Sequence, residues 1–122
     1  MKGLGLMLSA ALTIAAFSAP AGAADETLKQ ALEDYGSAAG TIAASVPFCG
    51  GPDKELAYFI AQVKQLAEKA GAGPLEWAAI AIAMQKSSAA AEIENHHCTE
   101  DGGRSLATDL LEKQKALQAA LN

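Results

Sequence analysis

Positive charge is scarce in this chain: nine Lys plus Arg stand against fourteen Asp plus Glu in 122 residues, giving a formal net charge of −5 and an isoelectric point near 4.9. Affinity for phosphate backbones comes from clustered Lys and Arg. The balance therefore argues against nucleic acid as a partner. Strict apolar/polar alternation is also missing and β-branched residues are sparse, which leaves no strand candidate. No phosphate-cradling Gly-x-x-x-x-Gly-Lys loop, His-Glu-x-x-His helix, Cys-x-x-Cys-His haem site or Gly-x-Ser-x-Gly elbow occurs. Ser87 and Ser88 lack an adjacent base held by a third group, so they read as small packing residues and not as nucleophiles. With no acid and base pair to name, the expectation is a protein that is not an enzyme and takes no cofactor.

The N-terminus reads as an address. Lys2 supplies positive charge, Leu4 to Phe17 is an uncharged and mostly apolar run of fourteen, and Pro20-Ala21-Gly22-Ala23 follows. This is the charged, apolar and small-residue order of a secretory signal. Fourteen helical residues rise only about 21 Å, against a hydrocarbon core of roughly 30 Å. The expected organisation is therefore a signal peptide over residues 1–23, cut before Ala24, and one domain over residues 24–122 in the periplasm or outside the cell. No Cys near the junction points to a lipid anchor, and no later run is long enough to span a membrane. Loss of Lys2 makes the exported chain one charge more acidic.

Cys49 and Cys98 both lie in that domain, and export delivers them to an oxidising compartment. The expectation is one disulfide. In the loop-entropy model a bridge between residues 49 apart is worth about 4 kcal/mol, a large share of the stability of a small domain. A redox-active pair would take Cys-x-x-Cys spacing, which is absent.

Apolar residues recur at helical spacing between breaks of Gly and Pro, predicting an all-α, up-down four-helix bundle. Leu28, Leu32, Tyr35, Ala39, Ile42 and Val46 line one face of a first helix over 25–46. Gly36 and Gly40 weaken it by about 1 kcal/mol each unless close packing recovers the loss. A second helix, 53–70, follows Gly50-Gly51-Pro52 with Asp53 as candidate N-cap, presents Leu56, Phe59, Ile60, Val63 and Leu66, and stops at Gly71. Pro74 opens a third, 74–98, whose stretch from Trp77 to Met84 is apolar on every side and is expected to be the most buried, with Ile82 in the core. The last, 105–121, is placed after Gly102-Gly103 with Ser105 as cap and Leu106, Leu110, Leu117 and Leu121 as its stripe. Short links make consecutive helices antiparallel, which brings Cys49 and Cys98 to the same pole. Abundant alanine favours helix and lets axes approach closely while supplying little volume to bury.

One cluster carries ionisable chemistry. The only histidines, His96 and His97, sit among Glu92, Glu94, Glu100 and Asp101 beside Cys98. On a continuous helix Glu92 and His96 would share a face at i, i+4. Three readings stand: a comfortable helix end, a divalent metal site using His96 with Glu92 and Glu100, and a pH sensor in which nearby carboxylates favour the imidazolium of His96 or His97. Tyr35 and Phe59 fall on apolar stripes and read as core. Tyr58 lies off the stripe and is the candidate for a surface contact.

Cys49, Cys98 and the following Thr99-Glu100-Asp101, in an exported all-helical chain of this size, resemble the format of the small acid-stress chaperones of the bacterial periplasm. The helices from Asp53 to Cys98 and from Ser105 to Leu121 would correspond to that format, whereas the long helix before Cys49 and Gly50-Gly51-Pro52 depart from it. The resemblance implies a protein that unfolds or dissociates at low pH and holds clients by exposed apolar surface. The functional expectation is an exported helical binding protein acting through contact with a protein partner. An acid-stress chaperone and a divalent-metal binder using the His96/His97 cluster are the alternatives.

Overall fold

The computed structural model describes the backbone of residues 2–122 and the side chains of residues 25–122. The export signal expected over residues 1–23 lies outside the described side chains. Four α-helices follow in order: α1 (Lys2–Phe48), α2 (Asp53–Ala70), α3 (Pro74–Ala90) and α4 (Glu100–Leu121), with a single 3-10 turn, Asn95–Cys98, between the last two. No strand occurs among the described residues. The Cys49–Cys98 disulfide is formed, with Cα atoms 5.4 Å apart. The all-helical, disulfide-stapled bundle is therefore observed.

Local chemistry explains most of the boundaries. Pro52, extended, caps α2, so that Asp53 is its first helical residue and not its cap, and Asp53 and Glu55 sit in the positively polarised first turn. Gly71 ends α2 in the left-handed conformation (φ 109°), and the Ala72 N–H returns to the Ala67 carbonyl at 2.9 Å. Pro74 opens α3, and the Glu76 carboxylate reaches back to accept from the Gly73 N–H at 2.7 Å.

Two expected boundaries are corrected. The third helix ends at Ala90 and not at residue 98, since Ala91 turns to extended backbone and residues 91–94 carry no helix before the 3-10 turn. The fourth begins at Glu100 and not at 105, because Thr99 is its cap: the Thr99 hydroxyl accepts from the Gly102 N–H at 3.1 Å and donates to the His96 carbonyl at 2.7 Å. Gly102 and Gly103 thus lie inside the first turn of α4. At Gly102 a side chain is impossible, because an added Cβ would run into the His96 carbonyl.

The central helix is α1 and not α3. Helix α3 packs on α1 and barely touches α2 or α4, while α2 and α4 pack on α1 and on each other. Consecutive α2 and α3 meet only weakly, with the Lys64 ammonium 6.0 Å from the Trp77 ring centre. Of the apolar stretch expected at the centre, Ile80 and Met84 are buried, whereas Ile82 is 55% exposed. A helix apolar on all sides carries no phase that tells which side faces inward.

The seam between α1 and α3 depends on missing side chains. A Cβ at Gly36 would lie 2.6 Å from the Ala83 Cβ and 2.7 Å from the Ile80 carbonyl oxygen, and one at Gly40 would lie 2.7 Å from the Ser87 Cβ. Both glycines let the backbones approach, and Ser87 Oγ donates to the Ser37 carbonyl at 2.8 Å across the same seam. The pairing of 36 with 80 and 83, then of 40 with 84 and 87, shows α1 and α3 running in the same sense. On the other side Tyr35 is fully buried and its hydroxyl donates to the Val63 carbonyl of α2 at 2.6 Å. Burial pushes the Tyr35 phenol above its ordinary value. Gln114 of α4 donates to the Leu66 carbonyl at 3.0 Å. Around these lie Leu32, Val63, Ile80, Leu110 and Leu117 with many alanines, as a core of small volume.

Candidate functional site

The end of the bundle that holds the disulfide is built by the chain leaving α3. Because residues 91–94 are not helical, Glu92 and His96 do not share a helical face, and the i, i+4 pairing expected of them does not form. Glu100 and Asp101 pair instead with Arg104, at 2.9 and 3.2 Å, on an open surface where such pairs contribute little. The two imidazoles stand with ring centres 5.8 Å apart and tilted. Among the described residues no group of three or more His, Cys, Asp or Glu side chains is placed to hold a metal ion.

What His97 does instead is local. Its Nδ1 accepts the Glu94 N–H at 2.9 Å, closing the 3-10 turn that carries Cys98 to Cys49. With Nδ1 as the accepting nitrogen, Nε2 is the ring's donor in this arrangement. His96 is exposed, with its carbonyl held by Thr99.

His97 also borders a cavity of about 360 Å³ between α1, α2 and α4. Its apolar wall comes from Ile42, Phe59, Leu66, Leu106, Leu110 and Leu111, and no charged side chain contributes. Phe59, Leu106 and Leu110 were legible on their stripes as candidate core. That they border a space was not legible, because cavity volume depends on where helices diverge. Two polar neighbours are Ser45, whose hydroxyl donates to the Ile42 carbonyl at 2.6 Å, and Gln62, whose amide donates to the Tyr58 hydroxyl at 3.3 Å.

A larger groove of about 700 Å³ follows the opposite flank, between α1 and α3. Leu32, Ala79 and Ile82 border it together with Lys29, Glu33 and Lys86. Beside it α3 presents an exposed stripe at helical spacing, Leu75, Ala78, Ile82 and Ala89, with Leu75 82% exposed. Tyr58 is on the surface of α2, 58% exposed. Sequence reasoning singled out Tyr58 and missed the α3 stripe. Its signal was the apolar run from Trp77 to Met84, more apolar residues than one buried face can absorb. The Ser87 hydroxyl is committed to the Ser37 carbonyl, a bond that joins helices and leaves no activated nucleophile at that position.

No family model, curated protein or solved structure matches this chain.

Proposed function

We propose that this chain is an exported, non-enzymatic helical binding protein that engages another protein through α3 and the groove between α3 and α1. One observation carries the reading: α3 is apolar on every side from Trp77 to Met84, yet its outward residues Leu75, Ala78 and Ile82 lie open to solvent. Single exposed apolar residues are ordinary. Leu75, Ala78 and Ile82, at 3- and 4-residue spacing beside an apolar groove, present a strip of two turns that a partner helix or strand would cover. Lys29 and Lys86 border the groove with a single carboxylate, Glu33, so this strip is locally basic on an otherwise acidic molecule and favours an acidic segment in the partner. The disulfide at one pole and the glycine seam support a rigid surface that loses little freedom on binding.

A photoreactive amino acid at Ile82, compared with one at Lys115 on α4, tests this in the native envelope. The expected result is one dominant protein adduct from position 82 that Leu75→Lys abolishes without altering the melting temperature. Equal adducts from both positions contradict it. Adducts that form only below about pH 4, where carboxylates protonate, would replace this reading with the acid-stress chaperone.

A further inference from the structure

We propose that the cavity at the disulfide pole is a second binding site, for a small, neutral, largely apolar molecule carrying one carbonyl or similar acceptor, which His97 engages through its Nε2–H. It shares no bordering residue with the groove between α1 and α3, so it stands apart from the protein-binding reading above.

Three observations converge. At about 360 Å³ the cavity holds a small organic molecule, within the roughly 300–1,000 Å³ of such pockets. Its wall is apolar and free of charged groups, although charged residues are common elsewhere on the surface, and this disfavours ions and hydrophilic peptides.

Gly103 is the second observation. It sits in the first turn of α4 and borders the cavity, and a Cβ built there meets nothing within 4 Å. A helical glycine costs about 1 kcal/mol relative to alanine, and neighbouring Gly102 explains its own cost by the His96 carbonyl pressed against it. Gly103 has no such contact. What the missing side chain leaves is open space at a residue that borders the cavity.

The third is the state of His97. Its Nδ1 is occupied by the Glu94 N–H, which orients the ring, and Nε2 has no hydrogen-bond partner among the described residues. Of the other polar neighbours, the Ser45 hydroxyl is spent on the Ile42 carbonyl and Gln62 is exposed. One oriented donor at an apolar cavity is the pattern that fixes a ligand by a single acceptor.

The test uses the exported, disulfide-bonded protein and the neutral fluorescent ketone 6-propionyl-2-(dimethylamino)naphthalene as probe. The expected result is saturable binding of one probe per chain with a blue-shifted emission, and NMR methyl shifts at Ile42, Leu106 and Leu110 but not at Ile82. Gly103→Leu, which adds bulk at the cavity border, should weaken binding at least tenfold while the protein melts no lower than the parent. Ala107→Phe, at an exposed position bordering the same cavity, should do likewise and decides the matter if Gly103→Leu does not fold. The parent protein should prefer the ketone over 2-(dimethylamino)naphthalene, which lacks the carbonyl, by about fivefold, and His97→Phe should remove that preference. Methyl shifts centred on Ile82, or unchanged affinity in a folded plugging variant, would overturn the site. No preference for the ketone in the parent would overturn the role of His97.

Discussion

The two flanks of α1 are packed in opposite ways. Towards α3, Gly36 and Gly40 remove every atom that would hold the backbones apart, and Ser87 bridges the helices by a hydrogen bond. Towards α2 and α4, a tyrosine fully buried at one level gives way at the disulfide pole to a cavity bordered by leucines and a glycine that no contact demands. Glycine thus serves two ends in one small fold. In the seam its absent side chain converts a loss of helix propensity into close packing, and beside the cavity the same loss is left as open volume. Contact on the first flank is made by removing side chains, on the second by burying large ones below an open pole.

The largest expected effect breaks the seam. Ile80→Asp places a charge without a partner at a fully buried position, costing several kcal/mol, and should leave the chain unfolded by circular dichroism. Ile82→Asp, two residues away and exposed, should melt within a degree or two of the parent. Opening the disulfide acts on the other flank: the Cys49→Ser, Cys98→Ser double variant should lose about 4 kcal/mol in urea titrations, with amide exchange rising first in residues 95–103. Equal exchange along the whole chain would show that the bridge does not act through its own pole.

A smaller effect links the flanks. Tyr35→Phe removes the bond to the Val63 carbonyl and should cost about 1 kcal/mol at neutral pH. Because burial raises the folded phenol above the unfolded value near 10, the stabilisation from the neutral ring is complete below pH 10. It fades as pH climbs past that value, with a slope of about 1.4 kcal/mol per pH unit for one proton. Tyr35→Phe should lessen this alkaline loss, as urea titrations from pH 8 to 11 would reveal.

Where punctuation is strong, sequence and structure agree: Pro52 and Gly71 bound α2 at residues 53–70 as expected, and the stripe of Leu32, Tyr35 and Ala39 is buried. The pairing of Cys49 with Cys98 follows from there being only two cysteines. Where punctuation is absent the reading failed. Ala89-Ala90-Ala91-Glu92 has every propensity to continue a helix, but the chain turns out at Ala91 and closes through Cys98 onto Cys49, a tertiary tie that local propensity does not contain. Gly102-Gly103 reads as a break and lies inside α4, because Thr99 caps the helix ahead of it. The histidine cluster depended on the misplaced helix end, so its expected pairing fell with it. The exposed α3 stripe and the cavity arise from helix placement, which periodicity along one helix cannot supply.

The contrast between the flanks comes down to one pair of substitutions measured by urea unfolding at equal pH. Gly36→Ala adds a methyl that must displace Ala83 or the α3 backbone, so despite a gain of about 1 kcal/mol in helix propensity it should destabilise by a net 1–3 kcal/mol, to order of magnitude. Gly103→Ala adds the same methyl where nothing lies within 4 Å and should stabilise by up to about 1 kcal/mol. Opposite signs are the predicted result. Changes of the same sign, whether two losses or two gains, would contradict a close helix seam at Gly36 and open space at Gly103.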